Sequence, residues 1–460
     1  MGEIISTSGV PATDPFSYTM PSFPFIDHEW LTNVLIKNAY YTIGYFGLAA
    51  FYAGLGILAV VTALYTGSKK LKYTQIPLFL GLATVFTFSG IRPQVESWLF
   101  LAIFLFTVVN ERIFQKARFL LPALFVVWVN LHGSFALGIA SLFLIIATKT
   151  FQRQSIRELL PIFLLSILAT FINPYGPRIW HEVWLQVSDT SLRWSILEWQ
   201  PAFFSLNIPF LLFGTLTTML TFRFRRKFEL KKLVIFFFFL FLAIGSVRHI
   251  PLFVIASISI LAQALNFLHD EVKEVKLGEV RFKKIYNVAS TAFLIVFLIS
   301  AGFGIRGAGY FGEETFYPAK GLVYLKENPP PGQIFSEYGW GGYLIWKMPQ
   351  KKVFIDGRMP SWRWDENKPL ESSYAMKDYK NLLSGEVGYK EIFDKYNIST
   401  VFWPAPKPES SLEVLDKKIR SHLVNLGFYW KEYDLLKELK SDGWQRVYED
   451  KAAVIYERPE

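Results

Sequence analysis

About ten apolar runs follow one another along the first two thirds of the chain, centred near Leu55, Leu82, Phe104, Val126, Leu142, Leu165, Phe213, Phe239, Ser257 and Leu294. Each approaches the ~20 residues that a helix needs to cross the hydrocarbon core of a bilayer. The loops between them alternate in character. Lys69, Lys70 and Lys72 follow the first run, Arg112, Lys116 and Arg118 the third, and Lys149, Arg153 and Arg157 the fifth. Arg223, Arg225, Arg226, Lys227, Lys231 and Lys232 follow the seventh, and Lys273, Lys276, Arg281, Lys283 and Lys284 the ninth. Basic loops stay on the cytoplasmic side. The start of the chain, the remaining loops and everything after Arg306 are then expected on the outer face of a plasma or inner membrane.

From about Thr315 the pattern becomes that of a soluble domain with its own core. It predicts a helix over Ala319–Glu327, strands near Gln333–Ser336 and Lys352–Ile355, and helices over Tyr374–Leu383 and Tyr389–Tyr396. A strand at Ser399–Trp403, a helix near Leu412–Leu426 and a strand pair at Gln445–Glu449 and Ala453–Glu457 complete it. The expected class is mainly α: a polytopic transmembrane helical bundle with a C-terminal external α/β domain. The expected divisions are a first external loop over 1–38, the bundle over 39–305 and the soluble domain over 306–460.

Composition agrees with this plan. Hydrophobic residues make up 52% of the 460, with 44 Phe, and mean hydropathy is positive at +0.27, which argues against a string of soluble domains. The 48 Lys and Arg outnumber the 38 Asp and Glu, but they are grouped between apolar runs, so they read as topology signals and not as a nucleic-acid surface. Cysteine is absent, which rules out disulfides, thiolate catalysis and cysteine-based zinc sites. Any metal must use oxygen or imidazole. Met1-Gly2 through Ser6 fits a myristoylation pattern, yet the topology puts that end on the wrong face, and no cleavable signal precedes Asp14.

Candidate chemistry gathers at the external ends. Asp14, Asp27, His28, Glu29 and Trp30 stand just ahead of the first run. The other external loops hold Arg92-Pro93-Gln94, Asn130-Leu131-His132-Gly133, a long stretch from Asn173 to Phe204 that includes Arg178 and His181, and Arg248-His249. Four of the six histidines therefore lie at external helix ends. These loops either form one polar cavity or follow the ordinary gathering of polar and aromatic residues at interfaces. Asp14-Pro15 reads as an Asx turn or a cap as readily as a site. Asp27, His28 and Glu29 can supply a general base, or two oxygens and an imidazole for a divalent cation such as Mg or Mn. Sequence neighbours diverge in direction, so one site takes at most one or two of them.

In the soluble part, the stretch from Ser336 to Trp346, with Tyr338 and Trp340, is either a glycine-permitted strand-to-helix turn packing aromatics or a surface that stacks on a sugar or peptide. Asp356 reads as a turn residue. Gly302-x-Gly304-x-x-Gly307 fits a dinucleotide pattern by letter only, because a membrane span precedes it instead of a strand.

The external segment Gly9-x-Pro11-x-x-Asp14-Pro15-Phe16-Ser17-Tyr18 resembles the GT-C superfamily of integral membrane glycosyltransferases. So do Asp27-His28-Glu29-Trp30-Leu31, Arg92-Pro93-Gln94, Asn130-Leu131-His132-Gly133, Asn173-Pro174-Tyr175-Gly176, Glu198-Trp199 and Arg248-His249. The plan of many spans followed by an external domain is similar, more distantly, to the catalytic subunit of oligosaccharyltransferases. The resemblance implies transfer of a sugar from a polyprenyl-phosphate donor to a glycan, lipid or protein acceptor on the outer face of a cell envelope. An acidic residue of the first external loop would act as base or metal ligand, and Asp14, Asp27 and Glu29 are the matching positions. The substrate-binding set would be His28, Trp30, Arg92, Gln94, His132, Arg178, His181, Arg248, His249, Tyr338 and Trp340. Relatives carry a span ahead of that loop, so the resemblance implies a first helix, and an acid near its end, missing before Met1. The tryptophan-tryptophan-aspartate element is not reproduced, since Tyr338-Gly339-Trp340 stands near its place. A transporter or translocase of lipid-linked sugar, and an accessory binding subunit, are the alternative readings.

Overall fold

The computed structural model describes residues 1–66, 71–190, 196–204, 207–310, 316–366, 368–406 and 433–459. The chain divides into two compact units, one of 1–10 with 26–304 and one of 11–25 with 305–460.

The first unit is helical. Its elements are α1 (Gly2–Ser8), α2 (Trp30–Leu64), α3 (Gln75–Phe86), α4 (Pro93–Val109), α5 (Glu111–Ala117), α6 (Leu120–Leu131), α7 (Phe135–Phe151), α8 (Leu159–Ala169), α9 (Arg178–Ser188), α10 (Ile208–Arg223), α11 (Leu230–Gly245), α12 (Ile250–Val272) and α13 (Lys276–Tyr310). Local sequence sets several starts. Proline opens α4, α10 and α12, where a missing N–H costs nothing. The Asn110 and Asn207 side chains accept the N–H groups of Ile113 and Phe210.

All ten apolar centres fall inside helices, but a count of about ten spans is not confirmed. Among the described residues three helices are long and apolar enough to cross a membrane, Trp30–Leu64, Val247–Val272 and Gly278–Gly302. A fourth arises if α4 and α5, bent by 106° at their junction, are taken together. Many of the others have 12 to 17 residues, short of the ~20 that span a bilayer alone. Val247–Val272 is the hub, 83% buried in its apolar window and packed against α2, α3, α4, α10 and α11, whereas Gly278–Gly302 is only 6% buried and lies at the rim.

The second unit contains α14 (Ala319–Glu327), β1 (Gln333–Ser336), α15 (Gly341–Lys347), α16 (Ala375–Ser384), α17 (Tyr389–Lys395), β2 (Ile398–Pro404), α18 (Leu435–Ser441), β3 (Gln445–Glu449) and β4 (Ala453–Glu457). The sheet runs β1-β2-β4-β3, with β1 parallel to β2 and the other pairs antiparallel. Most elements form where the pattern places them. Lys352–Ile355 instead makes only an isolated parallel bridge between Val353 and Ser17. The ladder there amounts to Tyr18 N–H to Val353 O at 3.1 Å and Val353 N–H to Phe16 O at 2.9 Å, too short for a strand. The predicted helix at Leu412–Leu426 lies outside the described residues. Gly302-x-Gly304-x-x-Gly307 continues α13 and opens no new helix, so it lacks a phosphate-binding context.

Candidate active site

The turn into α2 sets the geometry. The buried Asp27 accepts the Glu29 N–H at 3.1 Å on one carboxylate oxygen and the Asn33 side-chain N–H at 2.9 Å on the other, while its own N–H donates to the Tyr175 hydroxyl at 2.9 Å. Asp27 thus shapes the helix entry. Glu29, left at the N-cap, sends its carboxyl away from the helix, with Oε1 3.4 Å from His132 Nε2 and 3.6 Å from His28 Nε2. The His28 ring closes edge-on to His132 at 6.0 Å. Gly133 permits this, since a Cβ there would come within 3.3 Å of the His28 ring.

His132 has a defined tautomer. Its Nδ1 accepts the Ser134 backbone N–H at 3.1 Å and lies 2.7 Å from Ser134 Oγ and 2.9 Å from Ser97 Oγ, which in turn accepts the Trp128 indole N–H at 2.9 Å. With Nδ1 used as an acceptor, the proton of the neutral ring sits on Nε2 and faces Glu29. Burial keeps His132 well below the usual imidazole range, with Arg248 and His28 adding to the effect. Burial and Arg248 likewise bring His28 down to about 4. Burial pushes the Glu29 carboxyl up to about 8 against the opposing pull of Arg248, helped by Asp27 and Glu96. A base titrating near neutrality is well suited to proton transfer.

The cation comes from the turn Val247–His249 ahead of α12. Arg248 Nη2 lies 3.5 Å from His132 Nε2, and the guanidinium stacks over Trp199 at 5.0 Å from the ring centre. Among the described residues it has no carboxylate within ion-pair distance. The turn Leu197–Trp199 is fastened in place by Ser246 Oγ–H to Glu198 O at 3.1 Å and Val247 N–H to Gln200 O at 2.9 Å, while the Glu198 carboxylate pairs with Arg92. His28, His132, Glu182, Trp199, Arg248 and His249 line one cavity of about 490 Å³, whose remaining wall includes Phe238, Phe241 and Leu242 of α11.

Asp27 and Glu29, the expected metal ligands, are engaged by protein groups. Asp27 has both oxygens engaged, His132 turns a protonated nitrogen toward Glu29, and a guanidinium stands beside that nitrogen. Among the described residues no group of three or more His, Asp or Glu is placed to hold a metal.

Within the first unit, the other expected site residues lie outside this cavity. Trp30 donates its indole N–H to Asn130 Oδ1 at 2.8 Å and lines a separate groove with Asn130 and Asn173. Gln94 Oε1 is buried without a hydrogen-bond partner among the described residues. Arg178 and His181 are exposed on α9. Asp14, Tyr338 and Trp340 belong to the second unit. Both Asp14 oxygens take backbone N–H groups, of Phe16 at 3.2 Å and Ser17 at 2.7 Å, and Arg358 Nη1 lies 2.9 Å from Oδ1. The buried Trp340 donates to Phe316 O at 3.0 Å and packs on Phe402. Its glycine neighbour is needed, because a Cβ at Gly341 would lie 2.6 Å from Ile355 O. Tyr338 is half-buried beside Tyr379, whose hydroxyl accepts the Tyr338 N–H at 3.0 Å.

Sequence reasoning passed over Ser97, Trp128, Ser134, Glu182 and Gln186. Ser97 and Trp128 sit in apolar runs and look like ordinary core. Glu182 carried a readable signal, a carboxyl on the buried side of an amphipathic helix.

No protein-family profile and no curated protein matches the chain. Solved structures do. An archaeal oligosaccharyltransferase, AglB from Archaeoglobus fulgidus in complex with an inhibitory peptide and a dolichol-phosphate, matches with a TM-score of 0.56 at 14% identity, covering 99% of this chain and 69% of that one.

The chain has the fold of AglB, a GT-C-type oligosaccharyltransferase.

A second structure of the Archaeoglobus fulgidus oligosaccharyltransferase, in complex with Zn and sulfate, matches with a TM-score of 0.50 at 14% identity over 99% of this chain and 68% of that one. The AglB likeness, together with the long apolar helices, marks an integral membrane protein.

Proposed function

We propose that this chain is a membrane glycosyltransferase that moves a sugar from a polyprenyl-phosphate donor to a hydroxyl or amine acceptor on the outer face. The observation that carries the reading is the cavity lined by Arg248 and His132, in which Arg248 has no carboxylate within ion-pair distance among the described residues and His132 Nε2 is backed by Glu29 at 3.4 Å. Glu29 takes the acceptor proton as the acceptor oxygen or nitrogen bonds to the anomeric carbon. The bond from that carbon to the phosphate oxygen breaks in the same displacement. Charge develops on the departing phosphate, and a planar guanidinium matches its oxygens. His132, a fixed donor at Nε2, holds the Glu29 carboxyl in line. The resemblance of the fold to AglB, whose structure holds a dolichol-phosphate, supports the lipid-linked donor.

The test is transfer of labelled sugar from polyprenyl-phosphate glucose, mannose or galactose to membrane acceptors by the purified full chain in lipid nanodiscs. Product with wild type and none with Glu29→Gln at equal expression is the expected result. Undiminished product with Glu29→Gln overturns the assignment.

A further inference from the structure

Within α9, Glu182 and Gln186 are one helical turn apart and both face the cavity. Glu182 is 8% exposed, and its Oε1 accepts the Gln186 side-chain N–H at 3.0 Å. Among the described residues it has no cation within ion-pair distance. A buried carboxyl without a cation is unfavourable unless a ligand donates to it. Burial raises its protonation range, with Gln186 and His181 opposing. The mechanism above leaves this group idle. A carboxyl oriented by a neighbouring carboxamide is suited to reading a sugar hydroxyl, because it fixes an acceptor in a water-poor wall.

We infer that Glu182, oriented by Gln186, forms a hydroxyl-reading subsite that decides which sugar the cavity accepts. The inference rests on the glycosyltransferase reading and deepens it. Sites built to hydrogen-bond a substrate hydroxyl reject analogues lacking it far more strongly than apolar pockets reject a missing methylene, since the protein group is then left unpaired. The hydroxyl belongs either to the donor sugar or to a sugar acceptor.

Binding is read by quenching of tryptophan fluorescence in nanodiscs, so the result does not depend on turnover. In the donor arm the probes are polyprenyl-phosphate glucose and polyprenyl phosphate without sugar. In the acceptor arm they are octyl glucoside analogues, below their micelle concentration, with each hydroxyl replaced in turn by hydrogen. Wild type is expected to prefer the hydroxyl-bearing probe by at least about tenfold in one arm. Glu182→Ala removes that preference and Gln186→Leu weakens it, while affinity for polyprenyl phosphate itself is unchanged. The arm that responds identifies the source of the hydroxyl. Equal preference in wild type and both variants, or no preference in either arm, overturns the inference. Because Gln186→Leu leaves the carboxyl in place, it reports on the subsite even if Glu182→Ala folds poorly. Loss of transfer in Glu29→Gln with unaltered selectivity in Glu182→Ala would leave the proposed function standing and this subsite refuted.

Discussion

His132 Nε2 and Glu29 Oε1 stand 3.4 Å apart, and the proton between them is placed by groups on the far side of the imidazole. A residue of the α6–α7 turn thereby controls a residue at the start of α2, a hundred positions earlier. Glu29→Gln keeps the shape and loses the base, so transfer should fall by about 10²–10⁴-fold.

The same carboxyl sets a pH dependence. Activity requires it ionised, so the rate should rise with pH through about 8. Stability runs the opposite way. A group whose folded pKa is raised contributes fully below its unfolded value near 4.5, and that contribution is lost as pH rises through about 8. The thermal midpoint of wild type should fall over that window, and that of Glu29→Gln should fall less. Parallel pH–rate and pH–melting curves check both signs.

Ser97 acts through His132. Ser97→Ala removes one of the groups that hold Nδ1 as an acceptor, so a share of the rings should adopt the other tautomer and turn a bare Nε2 toward Glu29. A loss of about tenfold in kcat with little change in donor KM is expected, with recovery in Ser97→Thr. Nitrogen chemical shifts of labelled His132 measure the tautomer directly.

Arg248 is expected to govern the donor. Arg248→Met should raise the KM for the lipid-linked sugar by about 10–100-fold, and Arg248→Lys should recover part of it, because a point charge lacks the two-pronged geometry of a guanidinium. Steady-state kinetics with varied donor decide this.

Asp14 should affect stability. Arg358 lies between Asp14 and Asp356, at 2.9 and 2.6 Å, and against the rings of Phe16, Phe25 and Trp362. Asp14→Ala leaves that guanidinium half compensated and two N–H groups unpaired, at a cost of about 3 kcal/mol. Denaturant unfolding and faster proteolysis of the 11–25 segment report it.

Much of this was legible in the chain. Apolar runs mark helices because a helix satisfies its own backbone, so the ten centres could be placed from composition alone, as could the strands Gln333–Ser336, Gln445–Glu449 and Ala453–Glu457, where neighbouring residues alternate across a sheet. His28, Glu29, His132 and Arg248 stood out because ionisable groups at helix ends beside a membrane are costly without a purpose. The length of each helix was not legible, since hydropathy does not show where packing ends a turn. Nor was the use of Lys352–Ile355, whose single bridge partner lies more than 300 residues earlier.

The sequence by itself thus determined the helical class, the helices and strands of the C-terminal part and the small group of residues with chemistry to offer, because periodicity and side-chain type are local properties. Only the tertiary structure decided which of them stand together. It engaged both oxygens of Asp27 in a turn, bound Asp14 to Arg358, and brought Glu29, His132 and Arg248 within 3.5 Å contacts while adding Glu182 from a helix that pattern alone left unremarked. Direction and distance between remote side chains are fixed by packing, and packing is a property of the whole chain.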